Sequence, residues 1–134
     1  MSRENLEVVK QAITALNERD LDRYLACCTQ TIQLRTPTAA VAGVYEGPKG
    51  IRRFWADLED ASPDFRLDLE HLEAVGENRA FAFLRAARSG RASGVPMEGA
   101  TTNVYTFVAG KIDRVEIFLD RQQALEVLGL REAG

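Results

Sequence analysis

Few side chains in this 134-residue chain can carry chemistry. His71 is its single histidine and the only group whose ordinary pKa lies near neutrality, which suits a general base. It continues the Phe65-Leu67-Leu69 alternation and can therefore face inward. Leu72 and Ala74 take the opposite parity, however, which predicts a bulge or face switch and favours a histidine at the solvent edge. Asp120 stands between an alternating segment and a helical one. It can serve as a general acid or base, although an aspartate at such a junction is more often the N-cap of the helix. Asn103 and Tyr105 share parity with Thr101 and Phe107, so a hydrogen-bonding pair stands beside aromatic surface, the mixture found in small-molecule pockets. The competing reading is a buried polar pair satisfied by neighbouring backbone. The only cysteines, Cys27 and Cys28, are adjacent. Adjacent cysteines make a strained disulfide, and with one histidine neither a metal site nor a Cys–His dyad is expected. Cys28 shares a helical face with Leu21, Tyr24 and Leu25 and reads as a small core residue.

Composition narrows the partners. Seventeen Lys and Arg against twenty Asp and Glu leave a net charge of −3, with both signs scattered. No basic stripe points to nucleic acid or an anionic membrane. Apolar runs such as Ala80-Phe81-Ala82-Phe83-Leu84 are far too short to span a bilayer, and Met1-Ser2-Arg3-Glu4-Asn5 does not lead into a signal-peptide core. The expectation is a soluble, cytoplasmic protein. With 46% hydrophobic and 28% charged residues, residues 1–134 read as one ordinary globular domain that needs no cofactor to fold.

The elements that must position these residues follow from period and punctuation. Leu6, Val9, Ile13 and Leu16 recur at helical spacing through about Arg19, with Ser2 as a cap. Asp20 caps a short helix over Leu21–Cys28, and Thr31–Thr36 alternates as a strand ended by Pro37. Thr38–Val44 reads as loop or edge. Gly47-Pro48 opens a third helix that carries Ile51, Phe54, Trp55 and Leu58 inward. From about Phe65 the period changes to two: strands at Phe65–Leu69 onward, Ala80–Arg88, Thr101–Val108 and Ile112–Leu119 follow. Ser89–Gly99 reads as a long connection, Ala109-Gly110-Lys111 as a hairpin turn, and Asp120 as the start of a last helix stopped by Gly129. Helices followed by antiparallel strands argue for α+β.

That order resembles the SnoaL-like group of the nuclear-transport-factor-2-like superfamily. The resemblance is carried by Leu16-Asn17-Glu18-Arg19-Asp20-Leu21-Asp22, Gly47-Pro48-Lys49-Gly50-Ile51-Arg52-Arg53-Phe54-Trp55, Ser93-Gly94-Val95-Pro96, Gly110-Lys111-Ile112, and Asp120 through Ala124-Leu125 to Gly129-Leu130. It implies a cone-shaped barrel, a curved antiparallel sheet wrapped around the long N-terminal helix, with a pocket on the concave face. It also implies a homodimer through the convex face, for which Val104, Thr106 and Phe118 are the candidate contacts. Members include steroid isomerases, polyketide cyclases, epoxide hydrolases and proteins of no known activity. On the steroid-isomerase pattern the donor tyrosine falls at Ala12, the base near Thr36 and the oxyanion-hole acid at Asn103, so isomerisation by that route is not expected. On the epoxide-hydrolase pattern Arg85 has its strand, but Ala87 stands where a carboxylate is needed.

The resemblance further implies that Arg85 shares the concave face with Phe83, there to hold a substrate oxygen; the alternative is an arginine paired with a glutamate or pointing beyond the rim. Phe54 and Trp55 match pocket-lining positions, although a tryptophan there can equally be core. Ile117 alternates with Glu116 and joins Phe54, Trp55, Phe83 and Tyr105 as candidate substrate contacts. The expected function is a pocket for a small apolar or aromatic molecule with cofactor-free acid/base chemistry on a carbonyl compound. In it Arg85 and Asn103 polarise the oxygen while His71 or Asp120 moves the proton. The alternative is a catalytically silent binding or dimerisation module.

Overall fold

The computed structural model describes residues 2–37, 44–89 and 96–130. The helices are α1 (Ser2–Glu18), α2 (Leu21–Ala26), α3 (Gly47–Ala61) and α4 (Arg121–Val127). The strands are β1 (Cys28–Arg35), β2 (Tyr45–Glu46), β3 (Arg66–Val75), β4 (Arg79–Ser89), β5 (Pro96–Val108) and β6 (Lys111–Phe118). They form one curved sheet in the order β2-β1-β6-β5-β4-β3. The loops expected at Thr38–Val44 and Ser89–Gly99 lie largely outside the described residues, as does most of Ser93-Gly94-Val95-Pro96; Ser89 and Pro96 onward are strand, and Ser2, expected as a cap, is the first residue of α1. Among the described residues no helix is long and apolar enough to cross a membrane.

Four of the five strand pairings are antiparallel, as the alternating segments predict, and the pairing of β1 with β6 is parallel. Parallel neighbours need a long crossover. Here everything from α3 to β5 supplies it, so β1 reaches the sheet beside a strand laid down some eighty residues later. Cys28 opens β1 rather than closing α2: the helix ends at Ala26, and the Cys27 carbonyl already accepts a bond from Ile112 in β6.

α1 lies on the concave face because Val9, Ala12, Ile13, Ala15 and Leu16 form one buried stripe, and each large member contributes about 1.5–3 kcal/mol on burial. Asn17 fixes its height on the sheet. The Asn17 amide donates to the Leu67 carbonyl and accepts from the Leu67 N–H, both at 2.8 Å, in place of a further strand beside edge strand β3. α1 ends in a Schellman turn whose left-handed position is Arg19 (φ 60°): Asp20 N–H reaches the Ala15 carbonyl and Arg19 N–H the Leu16 carbonyl. The Arg19 guanidinium then donates to the carbonyls of Leu16, Pro63 and Phe65 and pairs with Glu59, tying α1 to the end of α3 and the start of β3.

The convex face is covered in part by the chain itself. Asp120 accepts from the Gln122 N–H and starts α4, whose Ala124 and Leu125, with Leu128 beyond, pack on Phe81 and Val104. Val104 is 1% exposed. The expectation that it contacts a second copy is therefore corrected: α4 already occupies that surface.

Candidate functional site

Between α1, α3 and the concave face lies a cavity of about 430 Å³, within the range of small-molecule pockets. Strand alternation decides which side chains reach it. On β5, Thr101, Asn103 and Tyr105 face inward, and on β6, Val115 and Ile117 do so. α1 supplies Ala12, Ile13 and Leu16, and α3 supplies Phe54 and Leu58. Gly99, Ala100, Pro37 and Leu119 line the same cavity and are exposed, so the mouth is at their end. Asn103 lies four residues along β5 from Gly99, about 13 Å inward at the usual rise of a strand.

The wall is apolar but for a few groups, and two of these form a pair. Asn103 Nδ2 donates to Tyr105 Oη at 3.1 Å, and both residues are buried. The other end of that amide, Oδ1, is buried with no hydrogen-bond partner among the described residues. Tyr24 lines the same space and meets Trp55 edge-on at 5.5 Å. Burial pushes the Tyr105 hydroxyl up to about 12, against a smaller downward effect of the Asn103 bond, and burial holds Tyr24 well above its usual value too. Both phenols stay protonated at physiological pH. They can donate a hydrogen bond; they cannot take a proton from carbon. Among the described lining residues these are the only titratable side chains.

The structure separates the sequence-predicted residues. It brings Asn103, Tyr105, Phe54 and Ile117 to the cavity, together with Ala12 and Thr36. Trp55 is buried core behind the wall, its Nε1 without a hydrogen-bond partner among the described residues. Arg85 and Phe83 are on the convex side, which corrects the face assigned to them. Arg85 is exposed and meets Glu70 at 3.5 Å, the partnered arginine of the alternative reading. Phe83 lies under Arg121, whose Cζ is 3.7 Å from the ring centroid. The reason is that both faces of β4 are apolar: Ala80, Ala82, Leu84 and Ala86 face the cavity and α1, while Phe81 and Phe83 face α4. Parity alone could not choose between them.

His71 is exposed beside Phe83 (5.3 Å) and Glu73 (3.1 Å). The predicted bulge is present: the β3–β4 register shifts between Leu69 and His71, turning the histidine outward. Asp120 is the exposed N-cap of α4. Arg85, His71 and Asp120 are thus not brought together with Asn103. Cys28 is buried core, its thiol held by the Tyr24 carbonyl at 3.4 Å and pushed up to about 12 by burial. Sequence reasoning missed Tyr24 as a wall residue. The available signal was a hydroxyl on an otherwise apolar helical face.

The SnoaL-like domain family matches residues 9–115 of the chain. Among solved structures, an NTF2-like protein of unknown function from Burkholderia pseudomallei is 16% identical, with 93% of this chain and 97% of that one covered and a TM-score of 0.79. TerC, co-crystallised with polyporic acid, is 21% identical over 94% and 98% of the two chains, with a TM-score of 0.78. The epoxide hydrolase/cyclase-like enzyme SalBIII, of pyran ring formation in the polyether salinomycin, is 19% identical over 89% and 92%, with a TM-score of 0.75. At these identities the likeness is one of fold. No curated protein matches the chain.

Proposed function

We propose that this chain, which belongs to the SnoaL-like family, binds an apolar, oxygen-bearing small molecule in its barrel cavity and stabilises charge developing on that oxygen, a cyclase-type action without a cofactor. The observation that carries the reading is the buried Asn103–Tyr105 pair on an apolar wall: the amide occupies the acceptor side of the phenol, so the Tyr105 O–H is left to donate to a ligand oxygen, while Asn103 Oδ1 has no partner among the described residues. A buried polar atom without a partner costs about 1–3 kcal/mol, and a ligand in the cavity removes that cost. Neutral donors fixed in a dry site favour an oxyanion as it forms, because their dipoles need not reorganise. The proton shifts are left to a substrate whose own C–H is acidic, since Tyr24 and Tyr105 hold their protons. TerC and SalBIII, similar in fold, are in keeping with small-molecule chemistry of this class.

The second reading, binding without turnover, is favoured by the same protonated phenols. Two measurements test and separate the readings. Titration calorimetry of 2-acetonaphthone is expected to show saturable binding that weakens about tenfold in Asn103→Leu/Tyr105→Phe, as the lost hydrogen bond to the ketone oxygen implies. It should vanish in Ala12→Phe, which fills the cavity from α1. Affinity that ignores both variants would remove the site. Ring closure of nonane-2,4,8-trione, whose C3–H lies between two carbonyls and is acidic by itself, faster with wild type than with the pair variant, supports charge stabilisation; equal rates leave binding alone.

A further inference from the structure

Resting on the reading that this cavity takes an oxygen-bearing ligand, we infer that the ligand brings an O–H donor as well as an oxygen acceptor to its buried end, as a hydroxy ketone or an enolised dicarbonyl does, and that Asn103 and Tyr105 read the two together. Asn103 Nδ2–H occupies the acceptor side of Tyr105 Oη, so the phenol O–H is left to donate onward. Asn103 Oδ1, on the same amide, is left to accept. A donor side, the phenol O–H with the second Nδ2–H beside it, and an acceptor, Oδ1, therefore stand together on the wall.

Rotating the amide by half a turn does not change this. The phenol then donates to Oδ1, the amide –NH2 becomes the free donor, and the phenol oxygen becomes the free acceptor. The two arrangements merely exchange roles, as the two tautomers of an enolised 1,3-dicarbonyl exchange theirs. A plain ketone offers acceptors only and leaves one end of the pair unmet. The pair is placed deep along β5, with Gly99, Ala100 and Leu119 at the mouth, so the oxygen-bearing end enters first and the apolar remainder lies along Ile13, Leu16 and Phe54. An enol held this way is the nucleophilic form required for carbon–carbon ring closure, and the pair transfers no proton in holding it. The protonated state of Tyr105 up to about pH 12 keeps the donor available.

The test is calorimetric titration of wild type with 2-hydroxy-1-tetralone, 1-tetralone and tetralin, neutral compounds on one skeleton. The hydroxy ketone is expected to bind about tenfold more tightly than 1-tetralone, the worth of one further well-made hydrogen bond. In Asn103→Leu/Tyr105→Phe the order should reverse, because the added hydroxyl is then desolvated without a partner. Circular dichroism establishes that the variant is folded; if it is not, Tyr105→Phe alone should cut the hydroxy ketone's advantage at least about threefold. Equal affinity of wild type for hydroxy ketone and ketone overturns this inference while leaving the pocket reading in place. No binding of any of the three, or binding that persists in Ala12→Phe, takes the pocket reading down with it.

Discussion

Arg19 holds a backbone conformation that disfavours it, and the structure predicts what its removal costs. A non-glycine residue at φ 60° costs roughly 1–2 kcal/mol relative to glycine. Against this stand three bonds to the carbonyls of Leu16, Pro63 and Phe65 and the Glu59 pair. The Glu59 pair is half exposed and contributes little, whereas the bonds to Leu16 and Phe65 are partly buried and contribute about 1–1.5 kcal/mol each. Arg19→Ala keeps the left-handed cost and loses the clamp, so it should destabilise by about 2–3 kcal/mol. Arg19→Gly loses the clamp but relieves the backbone, and should recover about 1 kcal/mol of that. Urea denaturation of both variants, with slopes compared to wild type, measures the difference. Because the clamp holds Phe65 and the end of α3 that carries Leu58, both lining the cavity, 1-tetralone affinity should fall in both variants. An Arg19→Gly protein as stable as wild type, or one no more stable than Arg19→Ala, would contradict this balance of clamp against backbone strain.

Further outcomes follow from other contacts. Asn17→Ala loses both bonds to Leu67 and should destabilise by about 1–3 kcal/mol in the same urea assay, with hydrogen exchange rising first along β3; unchanged β3 protection contradicts its role as a surrogate strand. Burial raises the folded-state pKa of Cys28 from 9.0, and of Tyr105 from 10.0, to about 12. The folded protein therefore binds more protons than the unfolded chain between these values, and stability is full below about pH 9 and lost as pH climbs toward 12. The rise at Tyr105 alone corresponds to about 3 kcal/mol, and a urea midpoint flat to pH 11 would contradict the burial. Ala12 and Thr36 line the cavity where a steroid isomerase has its donor and base, so Δ5-ketosteroid turnover should be at least about 10² below that of such an enzyme; ordinary isomerase rates, read by ultraviolet absorbance, would refute this.

The fold was legible where each segment has one apolar face. α1 and α3 follow directly from their stripes, and the turn at Ala109-Gly110-Lys111 from its glycine between two alternating segments, with Ala109 and Gly110 then found at positive φ (52° and 79°). Asp120 as a cap and the bulge before His71 were legible because each breaks a local pattern at a named residue. The parallel β1–β6 pairing was not, since register between segments eighty residues apart leaves no local trace. Arg85 failed for a related reason. Its strand is apolar on both faces, and which one meets the cavity depends on where α4 docks, a fact held by Ala124 and Leu125 far away in the chain. Half of the site was readable from β5 alone, where polar and apolar residues alternate cleanly; Tyr24 enters from a helix whose only mark was a hydroxyl among leucines.

On the proposed reading, Asn103 and Tyr105 hold the ligand's oxygen inside the barrel. A crystal structure with 2-hydroxy-1-tetralone tests it most directly. The ligand is expected between α1 and the concave face, its two oxygens within hydrogen-bond distance of Tyr105 Oη and the Asn103 amide and its ring toward Phe54 and Leu16. Density for the ligand only on the convex side, beside Arg85 and His71, would contradict it.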